Sequence, residues 1–422
     1  MLPEDLSTIP NPGPTIDAIG NFNIRPGDTL VMRVKAVDAN GTVPQLEILN
    51  PPSDSTFDVF PLDEGVRVLR WTPTEANLGE RTFNFRATDA DDPSLQFESS
   101  ATLGIVDPSR YVRPGERLRD LAEARNFLFG YAHLLEWYAQ PDADLYADTA
   151  AAEFNILSTE NSMKMGYIIP ERGVYRWEGS QREIDFAKEN NIVVHGHPLI
   201  WYTVLPPWIL QSEVGERESI MNTFIDDVVS RYADDVAIWD VVNEALEEDG
   251  TFRNSVWFEA MGEDYIDQAF FRARANDPDG ILLYNDFNVS YNGPKSDAMY
   301  TLLQRMLADG VPVDGVGFQM HLASSFDRFD EVAANFQRFA DLGLDVYVTE
   351  LDVVMEPGDN EDDQAAVFSD AVATCLAQPA CKAAQIWGFT DRYTWLRGRD
   401  PLVLDQDYQP KPGYGALQNV LQ

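Results

Sequence analysis

The hydrophobic positions follow two different patterns along the chain, and the change between them falls near residue 108. Before that point, short runs alternate apolar and polar residues, and clusters of turn-forming residues separate the runs. The runs are TLVMRVKAV (29–37), VRVLRWTP (66–73), RTFNFRATD (81–89) and ESSATLGIVD (98–107). Period-two alternation at this spacing is typical of strands with one buried face. Residues 1–108 are therefore predicted to form a small all-β sandwich domain.

From residue 109 onward, apolar runs alternate with Ala-rich stretches of helical period, such as EVAANFQRFADLG (331–343). The runs are FLFGYAHLL (127–135), FNILSTEN (154–161), NIVVHGHPLIW (191–201), VAIWDVVNEAL (236–246), ILLYNDFNV (281–289), GVGFQMHL (315–322), DVYVTELDVV (345–354) and AAQIWGFTDRYTWL (383–396). Strand-like runs that alternate with helices in this number predict an α/β fold, a (β/α)8 TIM barrel, over residues 109–422. A doubly wound open sheet is the alternative, but no glycine-rich phosphate loop follows the first run.

Polar residues end nearly every apolar run of the second region. They are Glu160 and Asn161, His195 and His197, Asn243 and Glu244, Asn285 and Asp286, Gln319 and His321, Glu350 and Asp352, and Asp391. In a closed barrel the carboxyl ends of all the strands meet on one face, where active sites lie. The four histidines, which include His133, all fall in or just after predicted strands. Together these residues indicate a polar pocket on that face.

Composition and charge limit the kinds of molecule that the protein is expected to bind. A chain of 422 residues with 44% hydrophobic residues has ample material for a packed core and exceeds the usual size of one domain. Against 31 Lys and Arg stand 70 Asp and Glu, a net charge of −39. Such a chain repels nucleic acid and anionic membranes, so neither is expected as a partner. The sequence has no apolar run of transmembrane length, and its start, MLPEDLSTIP, lacks the pattern of a signal peptide.

The chain contains two cysteines, Cys375 and Cys381, with five residues between them. Structural zinc sites use four protein ligands, so two cysteines are insufficient unless histidines contribute. A local disulfide is one interpretation, and it would indicate export from the cell. Two buried free thiols are the other interpretation.

The polar strand ends allow more than one kind of chemistry. His197, a glutamate and His321 are one candidate set of zinc ligands. His195 and His197, in HGH (195–197), are two residues apart in a strand and therefore share one face, so this pair is another candidate. A serine nucleophile would need a GxSxG elbow, which the sequence lacks, and neither cysteine is suitably placed. Two carboxylates on separate strands, Glu244 and Glu350, fit glycoside hydrolysis best. A barrel that binds glycans without catalysis is a further alternative.

Six motifs in the second region occur in the order found in one enzyme family. They are STENSMK (158–164), GHPLIW (196–201), WDVVNEAL (239–246), GVGFQMHL (315–322), VYVTELDV (346–353) and WGFTDRYTWL (387–396). Together they resemble glycoside hydrolase family 10, the retaining endo-β-1,4-xylanases. The resemblance implies a secreted enzyme that acts as a monomer on xylan or a related β-glycan and its oligosaccharides. It implies no cofactor and no catalytic metal.

The resemblance also implies a role for each matching residue. Glu244 would be the acid/base, and Glu350 would be the nucleophile that forms a glycosyl-enzyme ester. Asn243 would hold the 2-hydroxyl of the reacting sugar, His321 would hydrogen-bond the nucleophile, and Asp352 would orient His321. Sugar-binding positions follow from the same match: Glu160, Asn161, Lys164, His197, Trp201, Gln319, Trp387 and Trp395. Cys375 and Cys381 stand where family members commonly carry a short disulfide.

Three residues depart from the family pattern. Tyr202 stands in place of a second histidine, Met165 in place of a tryptophan, and Phe287 in place of a tyrosine. Met165 and Phe287 are expected to trim the sugar-facing wall. The departures leave open a different substrate for the same retaining machinery, a mixed-linkage or cellulosic β-glycan.

The first region resembles bacterial immunoglobulin-like and cadherin-like modules over residues 57–93, with Trp-Thr-Pro and Ala-Thr-Asp signatures. Trp71 is the one tryptophan of this region. It falls in a predicted strand, where packing in the core explains it better than stacking against a sugar. The turn DADDP (89–93) offers carboxylate oxygens that suit calcium, although Asp-rich turns are common without an ion. A spacer or stabilising module is the favoured interpretation.

Overall fold

The computed structural model describes residues 11–60, 63–111 and 113–422. The chain divides into two compact units. One is drawn from Met1–Val112 and Glu136–Thr149, and the other from Arg113–Leu135 and Ala150–Gln422. The domain boundary that the sequence predicts at residue 108 stays a prediction.

The first unit is built from strands in two four-stranded sheets, with the orders β1-β3-β6-β5 and β2-β8-β7-β4. The strands are β1 (Pro14–Ile16), β2 (Phe22–Ile24), β3 (Leu30–Asp38), β4 (Gln45–Ile48), β5 (Thr56–Phe60), β6 (Asp63–Trp71), β7 (Gly79–Thr88) and β8 (Gln96–Ile105). Alternate residues of β3, such as Leu30, Met32 and Val34, are buried in one core. The all-β prediction for this region is confirmed, and the likeness to immunoglobulin or cadherin modules stays a prediction.

Trp71 and Asp89 of this unit both have internal partners. Trp71 is buried against Phe83, and its Nε1 donates to Asp54 Oδ1 at 2.9 Å. Asp89 Oδ1 accepts the backbone N–H groups of Asp91 and Asp92 at 2.7 and 2.9 Å, so this oxygen fixes the turn. Trp71 is therefore a core residue, as predicted, and calcium binding at the turn stays a prediction.

The second unit contains a closed barrel of eight parallel strands. They are β9 (Leu128–His133), β10 (Ile156–Thr159), β11 (Val193–Gly196), β12 (Ile238–Asn243), β13 (Ile281–Asp286), β14 (Gly315–Phe318), β16 (Asp345–Val354) and β17 (Cys381–Ile386). Neighbours along the chain pair in order, and the pairings β14–β16 and β17–β9 complete the ring. The short strand β15 (His321–Ala323) pairs with the carboxyl end of β16. The TIM barrel prediction is confirmed.

Helices alternate with these strands. They are α1 (Leu118–Ala124), α2 (Ala143–Glu153), α3 (Met165–Ile168), α4 (Glu178–Glu189), α5 (Pro207–Leu210), α6 (Arg217–Tyr232), α7 (Val256–Met261), α8 (Asp264–Asn276), α9 (Pro294–Ala308), α10 (Phe329–Ala340), α11 (Glu361–Ala377) and α12 (Pro412–Leu421). Asn360 caps α11 by accepting the N–H groups of Asp362 and Asp363, which satisfies donors that the first turn leaves free. Within the described chain, we find no helix with the length and apolarity needed to cross a membrane.

Side chains pack the barrel interior, and the candidate site lies at the carboxyl ends of the strands. A buried layer of Ile156, Ile238, Leu283, Tyr347 and Ala383 fills the interior. Cys375 at the end of α11 and Cys381 at the start of β17 form a disulfide. The bridge links the last long helix to the strand that closes the ring.

Candidate active site

The carboxyl ends of the barrel strands enclose a cavity of about 580 Å³. The residues that line it are Glu160, Asn161, Lys164, His197, Trp201, Glu244, Phe287, Asn288, Gln319, His321, Glu350, Trp387 and Trp395. Every sugar-binding and catalytic residue expected from the sequence is among them except Asn243 and Asp352. Those two are buried and contact the lining residues Glu244 and His321. The structure thus brings the predicted set together on one barrel face.

The two predicted catalytic carboxylates face this cavity from separate strands, and each has its own donors. Glu350 lies in β16 and is 4% exposed; its Oε1 accepts from Asn285 Nδ2 at 2.7 Å. Glu244 follows β12 and is 8% exposed; its Oε1 lies 3.0 Å from Gln319 Nε2 and 3.1 Å from Asn243 Nδ2. Buried carboxylates require such compensation. The arrangement therefore presents two buried acids, each held by different donors, to one cavity.

Several residues at this face have left-handed backbone conformations. Val204, Glu244, Asn288 and Met320 have φ angles of 51°, 57°, 54° and 60°. A residue with a side chain seldom adopts this region; each instance costs roughly 1–3 kcal/mol and persists only where its surroundings fix it. Glu244 N donates to Asn285 O at 2.9 Å, which helps to fix the turn of the chain after β12. This bond to β13 supports the amino side of the Glu244 turn.

Asn285 is a site residue that sequence reasoning did not single out. Its amide nitrogen donates to Glu350 and to Asn243 Oδ1, and its Oδ1 accepts from Thr349 Oγ1 at 2.7 Å. Gly317 makes room for it, because a Cβ there would lie 2.3 Å from Asn285 Oδ1. The sequence shows Asn285 among the polar strand ends, but residue type alone does not reveal that it links β12 to β16 through Asn243 and Glu350.

His321 stands between the carboxylates of Glu350 and Asp352. Its Nε2 lies 3.3 Å from Glu350 Oε2, and its Nδ1 lies 2.9 Å from Asp352 Oδ2. Burial opposes a charged ring, but the two carboxylates, Asp352 above all, outweigh it and raise the pKa of His321 to about 10. Asp352 Oδ2 also accepts from Trp395 Nε1 at 2.9 Å. His321 is therefore an imidazolium at neutral pH, placed to hold negative charge on Glu350.

Asp352→Asn is predicted to lower the pKa of His321 toward its ordinary value of 6.5. In the wild type, the raised pKa stabilises the fold fully below pH 6.5, and this contribution is lost as the pH rises toward 10. The free energy of unfolding should therefore fall less over that interval in the variant. Nitrogen NMR of the ring, together with urea unfolding at several pH values, measures both effects. Asp341→Asn, at an exposed carboxylate, is the control; equal titration of His321 in all three proteins would contradict the assignment.

Two further histidines share the carboxylate of Asp240: His197 lines the cavity, and His195 lies behind its wall. His197 Nδ1 lies 2.7 Å from Asp240 Oδ2, and His195 Nε2 lies 3.0 Å from Asp240 Oδ1. Burial would raise the pKa of Asp240, but these two histidines outweigh it and lower the pKa to about 2. Asp240 therefore stays ionised and fixes the ring of His197 in the wall.

The zinc set considered from the sequence differs from the one that the structure brings together. Among the described residues, donor atoms of His197, Asp240 and Glu350 lie within 4.8 Å of one another. These three side chains are candidate metal ligands, but His197 Nδ1 and Asp240 already form a hydrogen bond at 2.7 Å. The geometry is that of a hydrogen-bonded support for the cleft wall, and His321 is not part of it.

Some polar strand ends do not reach the cavity. His133 is buried beside Tyr131 Oη and the Phe186 ring, and burial lowers its pKa to about 3. Asp391 pairs with Lys411 Nζ at 2.9 Å; burial raises the pKa of Asp391 to about 6, although Lys411 opposes the rise. The expectation that all four histidines mark the pocket is wrong, because His133 and His195 pack behind its wall.

The sugar-side residues form a polar edge and an aromatic wall. Lys164 Nζ donates to Asn161 Oδ1 at 2.9 Å and lies 5.0 Å from the centre of the Trp201 ring. Trp387 packs edge-on against His197, and Trp395, 55% exposed, packs edge-on against His321. Flat apolar rings beside polar groups suit a pyranose, whose C–H groups pack on a ring while its hydroxyls find donors and acceptors.

The three departures from the family pattern have different surroundings. Met165 is buried at the start of α3 and does not line the cavity, so the expectation that it trims the wall is wrong. Tyr202 is 38% exposed and covers the guanidinium of Arg253. Phe287 lines the cavity, and Lys295 Nζ lies 3.4 Å from its ring centre. Lys295 is buried and pairs with Asp286 Oδ1 at 2.9 Å. Phe287 thus packs on a cation.

Comparison with known proteins agrees with this site. The model of glycosyl hydrolase family 10 matches residues 117–420. The chain is 39% identical over 316 residues to endo-1,4-beta-xylanase B of Thermotoga neapolitana, a match that covers 72% of this chain and 91% of that relative. It is 34% identical over 433 residues to endo-1,4-beta-xylanase A of Thermoanaerobacterium saccharolyticum, covering 96% of this chain and 37% of that longer protein. The structure of xylanase 10B from Thermotoga petrophila RKU-1 in complex with xylobiose matches with a TM-score of 0.71 and 40% identity, over 74% of this chain and 98% of that one.

Proposed function

Because the chain belongs to glycosyl hydrolase family 10, we propose that it is an endo-1,4-β-xylanase that cleaves internal bonds of xylan with retention of configuration. The observation that carries the proposal is the placement of Glu244 and Glu350. They face one cavity from separate strands, and each is held by a different set of donors. Two carboxyl groups that flank one bond are what glycoside hydrolysis requires.

In the proposed reaction, Glu350 attacks the anomeric carbon while Glu244 donates its proton to the departing glycosidic oxygen. The bond to the departing xylan chain breaks, and an ester forms between the sugar and Glu350. Ester formation removes the negative charge of Glu350, and Glu244, now ionised, takes a proton from the incoming water. Water attacks the anomeric carbon, and Glu350 leaves as a carboxylate. Two inversions at one carbon give net retention.

The surrounding residues have supporting roles in this proposal. Asn243 holds the 2-hydroxyl of the reacting sugar, and the charged His321 keeps Glu350 ionised until it attacks. Glu160, Asn161 and Lys164 bind the next sugar toward the non-reducing end, while Gln319 supports Glu244. His197, Trp201, Trp387 and Trp395 pack against the sugar faces. The chemistry needs no cofactor, since both proton transfers and the nucleophile come from side chains.

We also propose that the protein acts outside the cell. The local disulfide between Cys375 and Cys381 supports this, because such bridges persist in oxidising compartments. Intact xylan is too large to enter a cell, which also supports action outside it. Action as a monomer stays a prediction.

Product analysis on three polymers tests the proposed substrate. We expect a ladder of short xylo-oligosaccharides from xylan and little or no product from mixed-linkage glucan and carboxymethylcellulose. Faster release from either glucan would support the alternative, the same retaining machinery acting on another β-glycan. No product from any polymer, with a folded protein, would support the non-catalytic alternative. Glu350→Ala is the blank for each reaction.

Phe287→Tyr is predicted to strengthen substrate binding without changing the fold. Because Phe287 lines the cavity, a new hydroxyl at the edge of its ring is expected to reach a sugar, while the ring stays on Lys295. One neutral hydrogen bond contributes roughly 0.5–1.5 kcal/mol, so KM should fall by up to about tenfold with kcat nearly unchanged. Steady-state kinetics and thermal melting measure both.

Phe287→Leu serves as the matched variant, because it keeps an apolar side chain but removes the ring from Lys295. It should lower the melting temperature and raise KM, since a buried ammonium would lose its aromatic partner. If Phe287→Tyr melts earlier and gains nothing in kcat/KM, the added hydroxyl is buried without a partner and the prediction is wrong.

A further inference from the structure

The backbone around Glu244 needs support that the barrel strand itself does not supply. β12 ends at Asn243, and Glu244 then takes a left-handed conformation, with φ at 57°. This turn is what sends the Glu244 side chain into the cavity. A residue with a Cβ keeps such a conformation only when neighbouring groups over-determine it. The carbonyl groups of Glu244 and the residues after it are acceptors through which a neighbouring donor can fix this turn.

Arg253 provides that contact. The chain after Glu244 forms a small hairpin in which Leu246 bridges Phe252, and this brings Arg253 back beside the turn. Arg253 Nε donates to Glu244 O at 2.9 Å, and Nη2 donates to Leu246 O at 3.0 Å. Its backbone N–H donates to Ala245 O at 2.7 Å. The two nitrogens of the rigid guanidinium fork thus hold the carbonyl oxygens of Glu244 and Leu246, and the Arg253 backbone holds the carbonyl oxygen between them.

Tyr202 encloses the guanidinium from the other side. The Tyr202 ring centre lies 4.3 Å from Arg253 Cζ, and Glu247 Oε2 lies 3.1 Å from Arg253 Nη1. The Arg253 side chain is only 14% exposed as a result. Tyr202 is also one of the departures from the family pattern, so this cover is a feature of the present chain. The ring and the carboxylate keep the guanidinium on its carbonyl acceptors.

From these contacts we infer that Arg253, covered by Tyr202, is a positioning residue that holds the acid/base Glu244 against the leaving-group oxygen. The inference rests on the proposed function, since it assumes that Glu244 is the proton donor. Removing the guanidinium frees the carbonyl groups of Glu244 and Leu246 and lets the left-handed turn relax. A displacement of the carboxyl group by about 1 Å is enough to slow a proton transfer about 100-fold.

The inference is tested by comparing substrates that differ in their need for a proton. A phenyl β-xylobioside has a poor leaving group and depends on Glu244, while a 2,4-dinitrophenyl β-xylobioside leaves without protonation. Arg253→Met should lower kcat/KM about 100-fold on the phenyl substrate and less than about threefold on the dinitrophenyl substrate. Arg253→Lys and Tyr202→Leu should show the same selectivity to a smaller extent, about fivefold to tenfold on the phenyl substrate.

Arg274 offers a matched control at the other end of the barrel. Its Nη1 donates to the carbonyl oxygens of Asp277, Pro278 and Gly280 at 3.2, 3.0 and 2.6 Å, just before β13 begins. Arg274→Met therefore frees three carbonyl groups, one more than Arg253→Met, but before the amino end of β13 and far from the cavity. It should lower the melting temperature and change kcat/KM by the same factor on both substrates.

Two kinds of failure can be told apart. If the Arg253 variants lose activity equally on both substrates, or lose none, Arg253 has only a structural role and the inference is wrong. If Glu244→Ala itself shows no dependence on the leaving group, the proposed role of Glu244 is wrong instead. Should Arg253→Met not fold, Arg253→Lys, which keeps the charge and the buried stem, decides the question in the same assay.

Discussion

Replacing Glu350 with alanine is expected to lower kcat on xylan and on aryl xylosides by at least about 10⁴-fold, because the variant lacks the carboxylate that forms the covalent intermediate in the proposed reaction. Asn285 and His321 both direct donors at the Glu350 carboxylate, and neither can act as the nucleophile in its place. Steady-state kinetics measure the loss. Glu123→Ala removes an exposed carboxylate that pairs with Arg119, and this control should keep full activity.

Azide should restore activity to Glu350→Ala on an activated aryl xyloside. The anion fits the space that the carboxylate leaves and attacks the anomeric carbon from the same side as Glu350. One displacement inverts the centre, so the product is an α-xylosyl azide. A β-xylosyl azide from this variant would show that the roles of Glu350 and Glu244 have been exchanged.

Glu244→Ala is expected to have an effect that depends on the leaving group. On xylan, where the departing oxygen needs a proton, kcat/KM should fall by about 10²–10⁴-fold. On a dinitrophenyl xyloside kcat/KM should change little, while kcat falls because water is no longer activated and the ester accumulates. Azide needs no general base and should react with this ester to give a β-xylosyl azide. Equal loss of kcat/KM on both substrates would contradict the acid/base role.

The Glu244→Ala result also calibrates the Arg253 variants, since it sets the largest loss that misplacing the acid can cause. Glu244→Gln is the control for shape, because it keeps the side-chain length and its contacts with Gln319 and Asn243 but cannot donate an acidic proton. If Glu244→Gln and Glu244→Ala show the same selectivity between substrates, the missing proton is the cause.

Much of the barrel, and the two carboxylates Glu244 and Glu350 that line its cavity, could be predicted from the order of apolar runs and the polar residues that end them. That prediction works because strands of a closed parallel barrel deliver their last residues to one face. The short strands β1, β2, β4 and β5 of the first unit were not predicted. They have only three to five residues each, too few for alternation to be recognised.

Which polar residues face the cleft depends on contacts between strands that the sequence does not display. His133 and His197 both end a strand region, yet His133 packs against Phe186 and His197 lines the cavity. Asp240 meets both His195 and His197 only because β11 and β12 pair with His195 opposite Ile238. These outcomes are decided by register and packing, which residue type and spacing leave open.

Positions where the chain departs from local rules could not be predicted either. The left-handed backbone of Glu244 and the buried Lys295 beneath Phe287 both conflict with ordinary preferences. The Glu244 turn depends on the later hairpin that carries Arg253, and Lys295, in the first turn of α9, depends on Asp286 and Phe287 at the end of β13. Functional sites are where local and global preferences are expected to disagree.

The stereochemistry of the first product tests the central claim most directly. Proton NMR during the first minutes of hydrolysis of xylohexaose by the wild-type protein reports which anomer is released before mutarotation mixes the two. Retention through a Glu350 ester predicts that the new reducing ends appear first as the β-anomer and that cleavage occurs at internal bonds. Initial release of the α-anomer would mean a single displacement by water, and it would contradict the roles assigned to Glu244 and Glu350.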